Sequence, residues 1–360
     1  GYYLDIFQVK PYEYFMKFKP LGNTDLKVSL ICLGTMTWGE QNTQDEAFEQ
    51  MDFSLDHGVN FFDTAEYYSV KGREETYGST EKIIGNWFKK NQNRDKVVLA
   101  TKVAGPYVKW IRDGGLQFNE KNFTLALEGS LKRLQTDYID LYQLHWPERN
   151  TNFFGKLGYV SQNEEAKWTP FEEILETAQK FIKQGKIRYL GLSNETPYGL
   201  SSYINLSNYK NLPRVMSVQN PYSLLNRTYE VGMSEISIRD QVGLLAYSPL
   251  ACGILTGKYR NSQKPEGARL TMWEDWLRYS SERSLRATEE YYKIAERNNL
   301  TLTQLSLAFV NQQDFVTSNI IGATKISQLK ENIESVNIKL SKEVLSDINQ
   351  VHENNPSPAP

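Results

Sequence analysis

The chain has 360 residues and a formal net charge of -2. This offers no global electrostatic case for nucleic acid or anionic lipid and leaves a small molecule as the expected partner. Its two cysteines, Cys32 and Cys252, are too few for a disulfide framework, so a reducing compartment, the cytoplasm, is expected. No apolar run reaches the roughly 18 residues of a membrane span, and no Pro/Gly/Ser-rich linker divides the body.

In chain order, residues 1–15 (GYYLDIFQVKPYEYF) precede Met16 and read as an extension: a tag, an ordered segment or a processed targeting remnant, the last making an organellar lumen the alternative compartment. The body, 16–354, then alternates short β-branched apolar runs with amphipathic segments. The runs are 30–35 (LICLGT), 59–63 (VNFFD), 97–102 (VVLATK), 138–144 (YIDLYQL), 187–192 (IRYLGL), 215–219 (VMSVQ), 243–247 (GLLAY) and 318–322 (SNIIG). Segments such as 123–134 and 171–183 between them have helical spacing. Strand and helix in alternation imply a parallel sheet, and eight repeats closed on themselves give an α/β fold, the (β/α)8 barrel. Three stretches, 104–119, 148–168 and 260–281, are longer than ordinary βα loops and lie on the C-terminal face, where such barrels build their sites. The proline-rich tail, 355–360, reads as flexible.

Only three histidines occur, so their positions carry information. His57 precedes Gly58 at a predicted helix end and His352 falls in the last helix, both structural placements. His145 directly follows the fourth run, at the mouth of the barrel. Asp63 ends the second run, Lys102 ends the third, and Tyr68 follows in DTAEYY. Singly, these read as a helix N-cap, a surface lysine and a packing aromatic; converging on one rim, they read as a tuned proton donor. The ammonium of Lys102 would lower the phenol pKa of Tyr68, Asp63 would hold Lys102 charged, and His145 could donate to a carbonyl oxygen. A carbonyl so polarised needs a nucleophile that no G-x-S-x-G motif or Cys/His pairing here supplies, so hydride from a cofactor is the natural complement. No cluster has metal-ligand spacing, and no metal is expected.

At this point several long motifs stand in order: ICLGTMTWG (31–39), FFDTAEYY (61–68), LATK (99–102), DYIDLYQLHWP (137–147), GKIRYLGLSN (185–194), VQNPYSLLNR (218–227), AYSPLACGILTGKY (246–259) and IIGATKISQLKENI (320–333). With them the chain resembles the aldo/keto reductases, most of all the Tas-like branch, with kinship to the potassium-channel β-subunits. The resemblance implies Tyr68 as general acid, Lys102 and Asp63 as its tuning pair and His145 as the residue that orients the carbonyl. It implies Ser193, Asn194 and Gln219 on the nicotinamide carboxamide, with Tyr247 stacked on its ring. Thr35, Ser248, Pro249, Leu250, Cys252 and Lys258 would complete the cofactor groove toward the pyrophosphate. Gly322, Thr324, Lys325, Gln328, Glu331 and Asn332 would hold the adenosine ribose and its phosphate.

The last group has a rationale of its own, because a strand end that opens a helix presents free N–H groups to an anion. No G-x-G-x-x-G occurs, which argues against a doubly wound dinucleotide fold. Lys258 and Lys325 favour NADPH over NADH. Trp38, Trp110, Trp146, Phe154 and Trp273 are candidate walls of an apolar substrate pocket, Trp38 and Trp146 foremost because they flank residues already placed at the mouth. The expected function is therefore reduction of an aldehyde or ketone by NADPH. The alternative is a nicotinamide-binding regulatory subunit, which assembly into a four-fold ring would favour.

Overall fold

The computed structural model describes residues 16–163, 167–266, 268 and 278–360. Eight parallel strands close into a barrel: β3 (Ile31–Gly34), β4 (Phe61–Asp63), β5 (Val98–Val103), β6 (Ile139–Leu144), β7 (Ile187–Ser193), β8 (Val215–Pro221), β9 (Gly243–Tyr247) and β10 (Val316–Ile321), with β10 returning to pair with β3. All eight predicted runs are barrel strands. They read as continuous apolar segments because helices cover the outside while side chains fill the inside; every residue of β5 and β6 is buried.

The helices follow the periodicity. Phe171–Lys183 buries Ile174, Leu175, Ala178 and Phe181 along one face. Their starts are chemically marked: Thr43 and Glu46 form a reciprocal capping box at Gln44–Asp56, and Asn119 and Thr196 cap Glu120–Leu134 and Pro197–Lys210. Among the described residues no helix is long and apolar enough to cross a membrane.

Inside the barrel the period of two decides what meets what. Phe61, Ala100 and Leu141 point into an apolar lower layer with Cys32 and Leu245. Two residues further along the same strands come Asp63, Lys102 and Gln143. Gly191 is required between these layers, since a Cβ there would stand 2.7 Å from Ser217 Oγ and 3.2 Å from Gln143 Cγ.

Two features depart from the sequence reading. A hairpin of β1 (Phe18–Pro20) and β2 (Lys27–Ser29), absent from the predicted elements, closes the N-terminal mouth. It drives Leu21 and Val28, both fully buried, into the lower layer; burial of this kind contributes about 1.5–3 kcal/mol for each side chain. The tail, 355–360, is packed rather than frayed. Ala359 is buried and its N–H donates to Leu225 O (3.0 Å), Ser284 Oγ donates to Pro358 O (3.1 Å), and Arg227 N donates to Ser357 Oγ (3.0 Å). Backbone groups with partners on other elements anchor a segment that composition alone marks as loose. The extension 1–15 and Trp273 lie outside the described residues.

Candidate active site

The upper interior layer is a hydrogen-bonded polar network built around one ion pair. Lys102 Nζ donates to Asp63 Oδ2 (2.7 Å), Thr64 O (3.0 Å) and Tyr68 OH (3.1 Å). The other carboxylate oxygen, Asp63 Oδ1, accepts from Gln143 Nε2 (2.9 Å) and Gln219 Nε2 (3.0 Å), and Gln219 Nε2 also donates to Gln143 Oε1 (3.0 Å). A buried ion pair persists when its remaining lone pairs and protons are satisfied, and here they are. Gln143 is a residue that the sequence reading missed; its signal was an amide side chain inside the run YIDLYQL, two places before His145.

The electrostatics correct one expectation. Burial would lower the Lys102 ammonium, but Asp63 and Tyr68 outweigh it and hold its pKa above the ordinary lysine value. For Tyr68, burial pushes the phenol up and the nearby Lys102 cation offsets this only in part, so the pKa is raised rather than lowered as the sequence suggested. A raised pKa keeps the proton on the phenol at neutral pH, the state in which it can be donated. His145 is held well below the usual histidine pKa by burial and by Lys102, so it stands neutral. Neither of its ring nitrogens has a hydrogen-bond partner among the described residues, and Nδ1 is fully buried. A neutral imidazole has one N–H to give and no protein acceptor here to take it.

Asp63, Tyr68 and His145 open into a cavity of about 790 Å³ that runs from the barrel mouth to the start of helix Ile326–Glu334. The cavity is lined by Thr35, Ser193, Asn194, Gln219, Tyr247, Ser248, Pro249, Leu250, Cys252, Lys258, Gly322, Thr324, Gln328, Glu331 and Asn332. Of the expected cofactor residues only Lys325 is not on its wall; it is exposed at the N-cap of that helix. Lys102 lies beneath the floor, fully buried.

Strand-end residues knit the wall together. Ser193 Oγ donates to Gln219 O (2.9 Å), Asn194 Nδ2 to His145 O (2.9 Å), and Tyr247 OH to Asn194 Oδ1 (2.5 Å). Further along, residues from Ser248 to Gly257 turn sharply, with positive φ at Ser248, Ala251, Cys252, Gly253 and Gly257. Turns of this type bring backbone N–H groups together into anion-binding concavities. At the far end Gln328 Oε1 accepts from Thr324 N (3.0 Å) and Thr324 Oγ1 (3.1 Å), occupying donors that the sequence reading assigned to a phosphate.

The tryptophan expectations fare differently. Trp38 is fully buried in the outer core, where its carbonyl accepts from Thr80 Oγ1 (2.6 Å), and it does not reach the cavity. Trp146 and Trp110 lie behind the wall. Trp146 Nε1 donates to Pro106 O (2.8 Å), and both rings pack on Tyr67. Flanking a mouth residue did not make Trp38 or Trp146 a lining residue, because both lie in the turns beyond the strand ends, where side-chain direction follows the local fold and not the strand alternation. Phe154 does line the cavity, with its ring edge against Trp146. Arg278 and Tyr279 line it too, and no sequence pattern singled them out. His57 and His352 stand apart from the site, the former at the end of helix Gln44–Asp56, its Nδ1 2.7 Å from Phe53 O.

Among the described residues no group of three His, Cys, Asp or Glu side chains could hold a metal ion. The arrangement is suited to handing one proton to an oxygen in a cavity long enough for an extended cofactor.

Comparison with known proteins agrees with this geometry. The aldo/keto reductase family model matches residues 30–353. The chain is 47% identical over 349 residues to Protein tas of Escherichia coli strain K12, covering 96% of this chain and 100% of that protein. It is 35% identical over 342 residues to Uncharacterized oxidoreductase YrpG of Bacillus subtilis strain 168 (93% and 96% covered) and 38% identical over 273 residues to an Aldo-keto reductase of Babesia bovis (71% and 96%). A strand-by-strand barrel, a buried Asp63–Lys102–Tyr68 cluster at its mouth and a match that runs almost the length of the chain lead to one conclusion: the chain is an oxidoreductase belonging to the aldo/keto reductase family.

Proposed function

We propose that this protein reduces aldehydes or ketones with NADPH, and that Tyr68 is the proton donor. The observation that carries this reading is the buried relay of Tyr68, Lys102 and Asp63 beside His145, whose ring nitrogens take no hydrogen bond from the described residues, with Asp63, Tyr68 and His145 opening into one extended cavity.

The residues present fit the cofactor. Ser193, Asn194 and Gln219 offer amide and hydroxyl groups to a carboxamide, Tyr247 offers a ring face, and Gln219 Oε1 takes no hydrogen bond from the described residues. The positive-φ turns from Ser248 to Gly257, with Lys258 on the cavity wall, suit a pyrophosphate. Lys258 and Lys325 are the basis for preferring NADPH over NADH. When bound, the reduced nicotinamide supplies a hydride to the carbonyl carbon. His145 donates its ring N–H to the carbonyl oxygen and fixes its direction, and Tyr68 passes its phenolic proton to the same oxygen, completing the alcohol. Lys102 then stabilises the phenolate left behind, and Asp63, held by Gln143 and Gln219, keeps that ammonium charged and in place. Two buried thiols without a disulfide are in keeping with the cytoplasm as the compartment.

The test is a titration with NADPH followed by nicotinamide fluorescence, then addition of a reactive aldehyde while the reduced-cofactor absorbance is recorded. Binding with consumption is expected. Absence of binding overturns the cofactor assignment, and binding without consumption overturns the reductase reading in favour of a regulatory nicotinamide-binding role.

A further inference from the structure

Among the described residues, the arginines most withdrawn from water have carboxylate partners: Arg94, Arg112, Arg133, Arg149 and Arg227 hold Asp140, Glu66, Glu81, Glu195 and Glu230 respectively. Arg214 has no carboxylate but spends its guanidinium on the carbonyls of Val215 and Gln241. Arg278 does neither. It is half-buried in the wall of the active-site cavity and has no carboxylate partner among the described residues. Its NH2 group donates to Tyr279 OH (2.5 Å), and the guanidinium lies over the Tyr279 ring at 4.6 Å. A cation withdrawn from water without a counter-charge is costly unless a ligand completes it.

Position decides which ligand. Arg278 NH1 and Pro360 O each lie 3.1 Å from where a Cβ on Gly155 would stand, so the guanidinium is packed against the loop that carries Phe154 and beside the docked tail, with no ion pair to the tail within 4 Å among the described residues. On its other side it interacts with the Tyr247 phenol, which in turn feels Tyr68. The guanidinium thus stands on the cavity wall beside Tyr247 and Phe154, in the same cavity that Tyr68 and His145 line, while Lys258 supplies a second cation on that wall.

We propose that Arg278 is the anchor for an anionic group, a carboxylate, on the carbonyl substrate, so that the preferred substrates are oxo acids rather than neutral aldehydes. This rests on the reductase reading above. The planar fork of arginine matches a carboxylate with two parallel hydrogen bonds, and Tyr279 and Tyr247 hold the fork in one orientation.

The experiment compares straight-chain ω-oxo carboxylates of increasing length with their methyl esters, in the wild type and in Arg278→Leu and Arg278→Lys, with the NADPH dissociation constant measured for each. A preference of about tenfold or more in kcat/KM for the carboxylate at one chain length is expected in the wild type. Arg278→Leu is expected to abolish that preference through KM, Arg278→Lys to restore part of it, and NADPH affinity to be retained. No preference at any length overturns the inference while leaving the reductase reading intact. A preference that survives in Arg278→Leu while NADPH affinity falls assigns the guanidinium to the cofactor phosphates and overturns it as well. If no aldehyde is reduced at all, the reductase reading fails, and calorimetry with the corresponding ω-hydroxy carboxylates decides the anion site: binding that is lost in Arg278→Leu sustains it, and no binding overturns it.

Discussion

At the N-terminal mouth of the barrel the interior is filled by Leu21 and Val28 against Phe61, Ala100 and Leu141. Two residues along the same three strands, at the C-terminal mouth, stand Asp63, Lys102 and Gln143. One backbone register thus delivers carbon to one layer and charge to the next, and the difference teaches where stability and chemistry are separable. The lower layer gains from removing apolar surface from water, a term indifferent to orientation. The upper layer holds a buried ion pair whose worth depends on every hydrogen bond being made. Mutations should therefore divide cleanly by layer.

The largest effect is expected in the upper layer. Lys102→Met leaves the Asp63 carboxylate buried without its cation, and a loss of about 3–5 kcal/mol in urea-induced unfolding should accompany the loss of turnover. Retained stability would mean that the pair is solvated and that the floor is not sealed. In the lower layer, Leu21→Ala should cost about 2–5 kcal/mol in the same measurement, because the closed barrel end cannot collapse around the cavity. Turnover per folded molecule should be unchanged, and a fall in kcat would show that the two layers are coupled.

The smallest effect concerns pH. The His145 pKa is depressed in the folded protein by burial and then by Lys102, so as pH falls below about 6.5 the unfolded chain takes up a proton that the folded chain refuses. The stability this neutral ring allows is present above that value and is lost progressively on acidification. His145→Asn should lose less stability than the wild type between pH 7.5 and pH 5 in parallel denaturation curves; identical losses would place His145 in a wetter setting than its burial indicates.

The comparison also explains what the sequence made legible. The eight barrel strands could be read because both of their faces are covered, which writes them as apolar runs, and Asp63, Lys102 and His145 because they interrupt or end those runs. The hairpin was invisible at three residues a strand, too short for any period. Gln143 was hidden inside an apolar run, and Arg278 in a loop where position depends on tertiary contacts with Tyr247 and Gly155 that no local pattern encodes. Trp38 misled for the opposite reason: adjacency in sequence to the mouth suggested the cavity, while the turn that follows the strand directs it into the outer core. The tail was misjudged from its prolines, whose docking is set by Leu225, Arg227 and Ser284 on other elements.

In the proposed reaction the phenol of Tyr68, its pKa raised by burial, is the proton source. Tyr68→Phe keeps the ring and removes only the hydroxyl, so the direct measurement is NADPH affinity and aldehyde-dependent NADPH consumption in this variant beside the wild type. The expected result is unchanged cofactor binding with consumption reduced by about 10²–10⁴-fold, the range contributed by a positioned acid. Consumption at the wild-type rate would contradict the assignment and require another proton donor at the cavity floor.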